Sequence, residues 1–208
     1  MFDVIGRTVA AYSRLGLGPW VALGDVLLVG EGNLSFAVAL LKRPETGVMS
    51  MSATVFESER GQPEDAIRNA GIIRQAGGRV LYDVDATHLD KSLTGQKFDT
   101  IIFQFPNVGS RDSKCGHTSN HVMIRLFLRS AASYLEKDGQ VLITAVDSPY
   151  YDGVFKFDEA ALFAGFSVSL PCRFDQGMFP GYAHVNTNDD GSALDNHDRF
   201  ATWVFKLK

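Results

Sequence analysis

Cysteine is scarce in this chain: Cys115 and Cys172 are the only two among 208 residues, and they form no C-x-x-C pair. That excludes a disulfide-stapled scaffold and makes a reduced, cytoplasmic setting the expectation. No apolar stretch approaches the length of a membrane span and no basic-apolar-small leader opens the chain, so no membrane contact is expected. Positive charge is also in deficit, with 20 Lys and Arg against 24 Asp and Glu and a net charge of −4. A broad basic footprint for nucleic acid is excluded, although a local patch is compatible with that balance. Repeats and low-complexity tracts are missing as well. What is present is a globular composition, 45% apolar and 21% charged, in a length that fills one α/β domain.

The chain is organised around Asp25-Val26-Leu27-Leu28-Val29-Gly30-Glu31-Gly32-Asn33-Leu34-Ser35-Phe36. A continuous apolar run of this kind fits a strand buried on both faces. Gly30 and Gly32 then permit a sharp turn and a close backbone approach to a ligand, because neither carries a Cβ. Leu34, Val38 and Leu41 continue at helical spacing. Strand, glycine turn and helix start are the parts of a nucleotide site, with backbone N–H groups directed out of the helix end. The third glycine of G-x-G-x-x-G is replaced by Ser35, so the pattern is incomplete.

Before this stretch, Phe2, Ile5, Val9, Tyr12 and Leu15 predict a short amphipathic helix, closed by Gly16, Gly18 and Pro19. Residues 1–23 are therefore read as an N-terminal helical extension and residues 24–208 as the main domain. After it, helices are expected over 34–43, 63–76, 119–136 and 157–164, and strands over 52–56, 79–84, 98–105, 140–146, 166–170 and 199–207. On the helix over 119–136, Leu126, Phe127, Ser130, Ala131, Tyr134 and Leu135 are expected to face the core. Alternating strands and helices imply parallel pairing through right-handed crossovers. The last two strands are joined by a polar loop alone, which predicts a final antiparallel strand on a doubly wound sheet.

Ligands of such sheets collect at the carboxyl ends of the strands. Gly30-Glu31-Gly32, Glu57, Asp85 and Gln104 all fall at such ends. Glu57 follows the glycines at the interval expected for a carboxylate that accepts from ribose hydroxyls. Asp85 is placed to accept from an exocyclic adenine amine, with Ala86 supplying backbone polarity. Either acid also fits a simple helix or turn cap.

Four segments occur in order: Val29-Gly30-Glu31-Gly32-Asn33-Leu34-Ser35-Phe36, Val84-Asp85-Ala86-Thr87, residues 98–109 around Phe103-Gln104-Phe105-Pro106-Asn107, and Pro180-Gly181-Tyr182-Ala183-His184. Together they resemble the 25S ribosomal RNA uridine-N3 methyltransferase-like domain family, a branch of the class I S-adenosylmethionine-dependent enzymes. The resemblance runs from about Asp25 onward. It implies a Rossmann-like methyltransferase sheet and S-adenosyl-L-methionine as cofactor. Gly30, Gly32 and Asn33 would surround its methionine part, Glu57 would take the ribose and Asp85 the adenine. Glu31, Ser35, Ala86, Gln104 and Phe105 are counted with these cofactor-binding residues. The family often carries Asn and His where this chain has Gln104 and Asn107.

The methyl acceptor implied by the resemblance is RNA, at uridine N3; a small-molecule acceptor of the same fold is the alternative. Nicotinamide oxidoreduction is disfavoured by Ser35 and by the loop-connected final strands, and a binding module without turnover is a further reading. Asn107, Tyr182 and His184 are the candidates for acting on the acceptor. A histidine in that position can orient or deprotonate it, while Phe105 and Tyr150 lie where a flat acceptor could stack. The alternative for Tyr182 and His184 is a structural turn on Pro180-Gly181. Cys115, His117 and His121 have part of a metal-site spacing but no fourth ligand, and Asn186, Asn188 and Asp190 start a calcium-like loop that has His197 where a bidentate Glu is needed. No metal is expected.

Overall fold

The computed structural model describes residues 17–108, 113–114, 117–184 and 197–208. The helix expected around Phe2–Leu15 and most of the polar loop over 186–199 lie outside them. In chain order the elements are β1 (Gly24–Val29), α1 (Ser35–Leu41), β2 (Val48–Thr54), α2 (Glu64–Gln75), β3 (Arg79–Leu81) and β4 (Phe98–Gln104). A small hairpin, β5 (Ser113–Lys114) and β6 (His117–Thr118), leads into α3 (Ser119–Ala131) and then β7 (Leu135–Val146). They are followed by α4 (Pro149–Phe155), α5 (Phe157–Ala164), β8 (Phe166–Val168), β9 (Cys172–Phe174) and β10 (Phe200–Leu207).

The main sheet runs β3-β2-β1-β4-β7-β10-β8, with β9 also paired to β10. Strands β1, β2, β3, β4 and β7 are mutually parallel, whereas β10 is antiparallel to β7, β8 and β9. The expected antiparallel final strand is thus present, slotted between β7 and β8. The chain steps outward from β1 through β2 to β3 and then returns to the other side of β1 as β4. The β1–β4 boundary is therefore the switch in strand order, where open α/β sheets bind ligands.

Each face of the sheet carries its own core. On one side Leu27, Val29, Ile101, Phe103, Val141 and Ile143 pack against α3, α4 and α5. On the other, Val26, Leu28, Ile102 and Leu142 pack against α1, α2, Trp20, Phe174 and Phe179. Leu17, Trp20 and Leu23, all counted in the N-terminal extension, are fully buried, and Trp20 and Leu23 belong to this second core. At the entry to β1, Gly24 adopts φ +64°, and a Cβ there would come within 2.2 Å of Asp99 Oδ2. That oxygen instead accepts the Asp25 N–H at 2.8 Å.

Several expected boundaries move. Strand β2 starts earlier and stops at Thr54 rather than reaching Phe56, which is 63% exposed. Strand β7 begins at Leu135, not Gln140, so Asp138-Gly139 falls inside the strand, where the register to β4 shifts: Phe98 pairs with Leu135 and Thr100 with Gln140. Helix α3 ends at Ala131. Its buried residues are His121, Ile124, Phe127, Leu128 and Ala131, and Leu126 is 38% exposed, which corrects the expected face. At about 100° per residue Leu126 lies on the far side from Ile124. Helix α4, strand β9 and the β5–β6 hairpin were not anticipated.

Trp20 meets Phe36, Phe174 and Phe179 edge-on, at ring-centroid distances of 5.5, 5.9 and 5.4 Å. Trp20→Ala should lower unfolding free energy by about 3–5 kcal/mol, as expected for a large core truncation, read from urea denaturation. A loss below about 1 kcal/mol would show that residues before β1 are dispensable to the core.

Candidate active site

The parallel ladder continues past the strand ends. Glu31 N–H donates to the Thr54 carbonyl at 2.9 Å, Val55 N–H to Leu81 at 2.9 Å, Val84 N–H to Val55 at 3.1 Å and Asp83 N–H to Glu57 at 3.2 Å. These bonds draw the loops after β1, β2 and β3 into one rim that carries Gly30, Glu57 and Asp85. Glu57 is exposed. Asp85 caps its own turn: Oδ1 accepts from the Thr87 N–H at 2.8 Å and the Thr87 hydroxyl at 2.7 Å. Its Oδ2 lies 3.1 Å from His88 Nδ1. Partial burial pushes the Asp85 pKa up, but the Thr87 and His88 contacts outweigh it and hold the carboxyl below its ordinary value. Ala86 is buried beside it.

In the glycine turn, Gly30 has φ +65° and a Cβ there would meet Phe103 Cε2 at 2.7 Å. Its lack of a side chain thus serves the packing of β1 on β4, while Gly32 is exposed. Leu34, at the start of α1, is left-handed (φ 63°) and provides no side-chain cap. The first N–H groups of α1 are satisfied from earlier residues: Ser35 N–H by Asn33 Oδ1 at 3.1 Å, and Ala37 N–H by Glu31 Oε2 at 3.1 Å. Asn33 Nδ2 donates to Asp65 at 3.1 Å, and Asn69 Nδ2 donates to the Asn33 carbonyl at 2.8 Å. Glu31 is 5% exposed, and burial raises its pKa to about 7 against the pull of the Ala37 N–H.

Ser35, where the glycine fingerprint is broken, holds the C-terminal segment. Its hydroxyl donates to the Ala183 carbonyl at 2.9 Å and accepts the Ala183 N–H at 3.0 Å. Tyr182 consequently packs edge-on to Phe36 at 5.1 Å. Burial, and then the Glu31 charge, raise its pKa well above the ordinary phenol value, so it remains protonated. The His184 ring meets the edge of Phe105 at 5.0 Å. Phe105 is itself left-handed (φ 47°), and Phe174 and Phe200 contact its ring at 6.1 and 5.5 Å.

One group of expected residues, Glu31, Asn33, Ser35, Phe105, Tyr182 and His184, thus gathers at the switch point, and a second, Glu57, Asp85 and Ala86, lies along the rim toward β3. Gln104 ends β4 with its side chain 8% exposed. Asn107 is exposed after the buried Pro106. Cys115 lies outside the described residues, and His121 Nδ1 lies 2.7 Å from the Phe155 carbonyl within the α3–α4 packing. Among the described residues no cluster of three His, Cys, Asp or Glu could hold a metal ion. Sequence reasoning missed Asn69, Asp65 and Thr87. Asn69 had a signal, since it is a polar residue on the stripe of Ala66, Ala70 and Ile73 buried in α2.

Residues 27–186 match the family described as BMT5-like, rRNA (uridine-N3-)-methyltransferase BTM5-like. The chain belongs to the BMT5-like family. An uncharacterized protein of Arabidopsis thaliana is 32% identical over 169 residues, 76% of this chain and 79% of that one. Three longer relatives match as well, of which the chain spans 27%, 34% and 19%. Among solved structures, a methyltransferase from Pyrococcus furiosus superposes with a TM-score of 0.57 at 21% identity, covering 97% of this chain and 83% of its own. A putative methyltransferase from Streptococcus mutans in complex with S-adenosylhomocysteine gives 0.53 at 16% identity, covering 93% and 97%. The BMT5-like chain is thus a methyltransferase with the Rossmann-like fold of the S-adenosylmethionine-dependent enzymes.

Ser35→Ala should remove both bonds to Ala183 at a cost of about 1–2 kcal/mol, and amide exchange at Ala183 should accelerate while the centre of β1 stays protected. Equal exchange at Ala183 in mutant and wild type would show that Ser35 does not secure the segment. Glu31 sets a pH dependence. Its folded pKa, about 7, exceeds its unfolded value near 4.5, so the stability is full below pH 4.5 and is lost as pH rises through 7. The loss should be about 3 kcal/mol. Glu31→Gln should abolish it, so that the mutant gains on wild type from pH 5 to pH 8 in denaturant melts; parallel pH profiles would refute the assignment.

Proposed function

We propose that this protein transfers a methyl group from S-adenosylmethionine to N3 of a uridine in ribosomal RNA. The observation that carries this reading is the extent of the family match: residues 27–186 run from within β1 to just past His184, so every residue of the rim and switch point falls inside it. The donor set fits the cofactor. Gly32 and Glu57 are exposed on the same rim as the part-exposed Asp85, offering open backbone for an amino-acid group and carboxylates for a ribose diol and an adenine amine.

In this reading the cofactor supplies a sulfonium-bound methyl for in-line transfer. Gly30, Glu31, Gly32, Asn33 and the start of α1 at Ser35 surround its methionine end. Glu57 accepts from the ribose hydroxyls, and Asp85 and Ala86 bound the adenine edge, with Thr87 keeping Asp85 in place. Catalysis then rests on alignment and on removal of the acceptor proton. Tyr182 acts as a donor that orients the acceptor, since its phenol keeps its proton. His184, backed by Phe105, is the group that takes the N3 proton, and Asn107 holds the acceptor at the mouth. A uridine must leave its stack to reach this site. A small-molecule acceptor is the second reading, favoured by the net charge of −4; salt-dependent RNA binding separates the two.

The test supplies labelled methyl donor with ribosomal RNA and with a metabolite fraction, followed by nucleoside digestion. Label in N3-methyluridine is the expected outcome, and label only in small metabolites would overturn the RNA reading. Glu57→Ala should weaken S-adenosylhomocysteine binding by about tenfold or more in calorimetry. Asn107→Ala should leave that affinity within about twofold while slowing single-turnover transfer, the pattern of a residue that acts on the acceptor.

A further inference from the structure

Gln104 is the only described side chain that is buried with two polar atoms lacking any hydrogen-bond partner among the described residues: both Oε1 and Nε2 are unsatisfied. Buried amides are nearly always paired, so an orphan of this kind calls for a ligand or another role. The neighbouring amide gives the contrast. Asn33 spends both ends of its side chain on Asp65 and Ser35.

The direction of the Gln104 side chain follows from the strand. Ile102 lies in the core on the α1 side and Phe103 in the opposite one, so alternation returns Gln104 to the α1 side. Continued alternation would carry Phe105 away again. Its left-handed φ of 47° breaks the alternation, and the Phe105 ring packs against the α1-side cluster instead, edge-on to His184 at 5.0 Å. Strained backbone of this sort persists where the surroundings require it. Here it gathers Gln104, Phe105 and His184 on one side of the sheet at the switch in strand order.

We propose that Gln104 is a catalytic residue whose Nε2–H donates to a carbonyl oxygen beside the acceptor nitrogen; this rests on the uridine reading above. Uridine N3 lies between two carbonyls. When the N3 proton leaves to His184 or to water, the electron pair it leaves behind spreads onto those oxygens. The N3 lone pair then forms the bond to the methyl carbon, and the carbon–sulfur pair returns to sulfur, leaving a neutral thioether. A donor already buried at the carbonyl oxygen stabilises the anion at its formation, as in an oxyanion hole. A primary amide suits this role because it neither gains nor loses a proton near neutral pH, and because no hydrogen bond to a described residue must first be broken.

The test uses two variants of matched length, Gln104→Met and Gln104→Glu, with three readouts: melting temperature of the free protein, S-adenosylhomocysteine affinity, and single-turnover methylation of a uridine-containing ribosomal RNA fragment against pH. Gln104→Met should melt at or above wild type, since it removes an unpaired buried amide, and bind S-adenosylhomocysteine within about twofold. Its transfer rate should fall about 100-fold, with the apparent pKa of the rate displaced upward. Gln104→Glu should be slower still, because a carboxylate faces the carbonyl oxygen. The proposal is overturned if Gln104→Met transfers at the wild-type rate, if it loses cofactor affinity tenfold or more, which assigns Gln104 to the cofactor, or if it melts lower, which means the amide is paired in the free protein. A wild type that methylates no uridine overturns the functional reading and this one with it; an active wild type matched by Gln104→Met overturns this one alone.

Discussion

Helix α1 spans seven residues, Ser35–Leu41, too few to hold helical form by themselves. Its stability comes from cover, since every residue from Ser35 to Leu40 is buried. The cover is drawn from distant parts of the chain. Trp20 comes from before the sheet, Phe174 and Phe179 from the segment around β9, and α2 from the next crossover. Tyr182 closes the last side against Phe36. Because α1 begins directly after the glycine turn, whatever covers it also fixes that turn. Burial of one short helix thereby brings the first and last thirds of the chain to the switch point of the sheet.

The same burial sets the electrostatics. A helix start favours negative charge by roughly 0.3–1 kcal/mol, up to about 2 in sheltered geometry. Glu31 accepts the Ala37 N–H there, yet its pKa rises to about 7. Desolvation therefore exceeds the combined pull of helix and hydrogen bond. The side chain is held by the need to satisfy an otherwise orphaned N–H at a buried helix start. Burial raises the Tyr182 phenol and the negative form of Glu31 adds to that, so the acid, the helix start and the C-terminal segment are coupled.

Much of the architecture was legible because hydrophobic period and turn residues carry it. The run Val26–Val29 into Gly30 and the loop-joined last strand were enough for the parallel sheet and its antiparallel strand. Rotational detail was harder: in α3, Leu126 and Phe127 are equally apolar as letters, and only packing against the sheet selects Phe127. The Asp138-Gly139 pair looks like a turn from composition, yet it lies inside β7 where the pairing register with β4 shifts. At the site, the acids at strand ends were visible from spacing. The partners were not: the bonds between Ser35 and Ala183 span 148 positions, and no local pattern encodes them. Asn69 was the readable exception, a polar residue on an apolar stripe.

The placement of β10 bears on how the domain is made. It lies between β7 and β8, yet it follows both in the sequence. While the chain is being synthesised, β7 has an open edge and β8 has no neighbour to pair with until residues 200–207 have left the ribosome. Such late, non-local pairing slows folding and leaves unpaired strand edges in the meantime. The nascent chain at that stage is the form most in need of a chaperone, and a chain cut short before Phe200 would keep a permanently sticky sheet rather than form a smaller working enzyme.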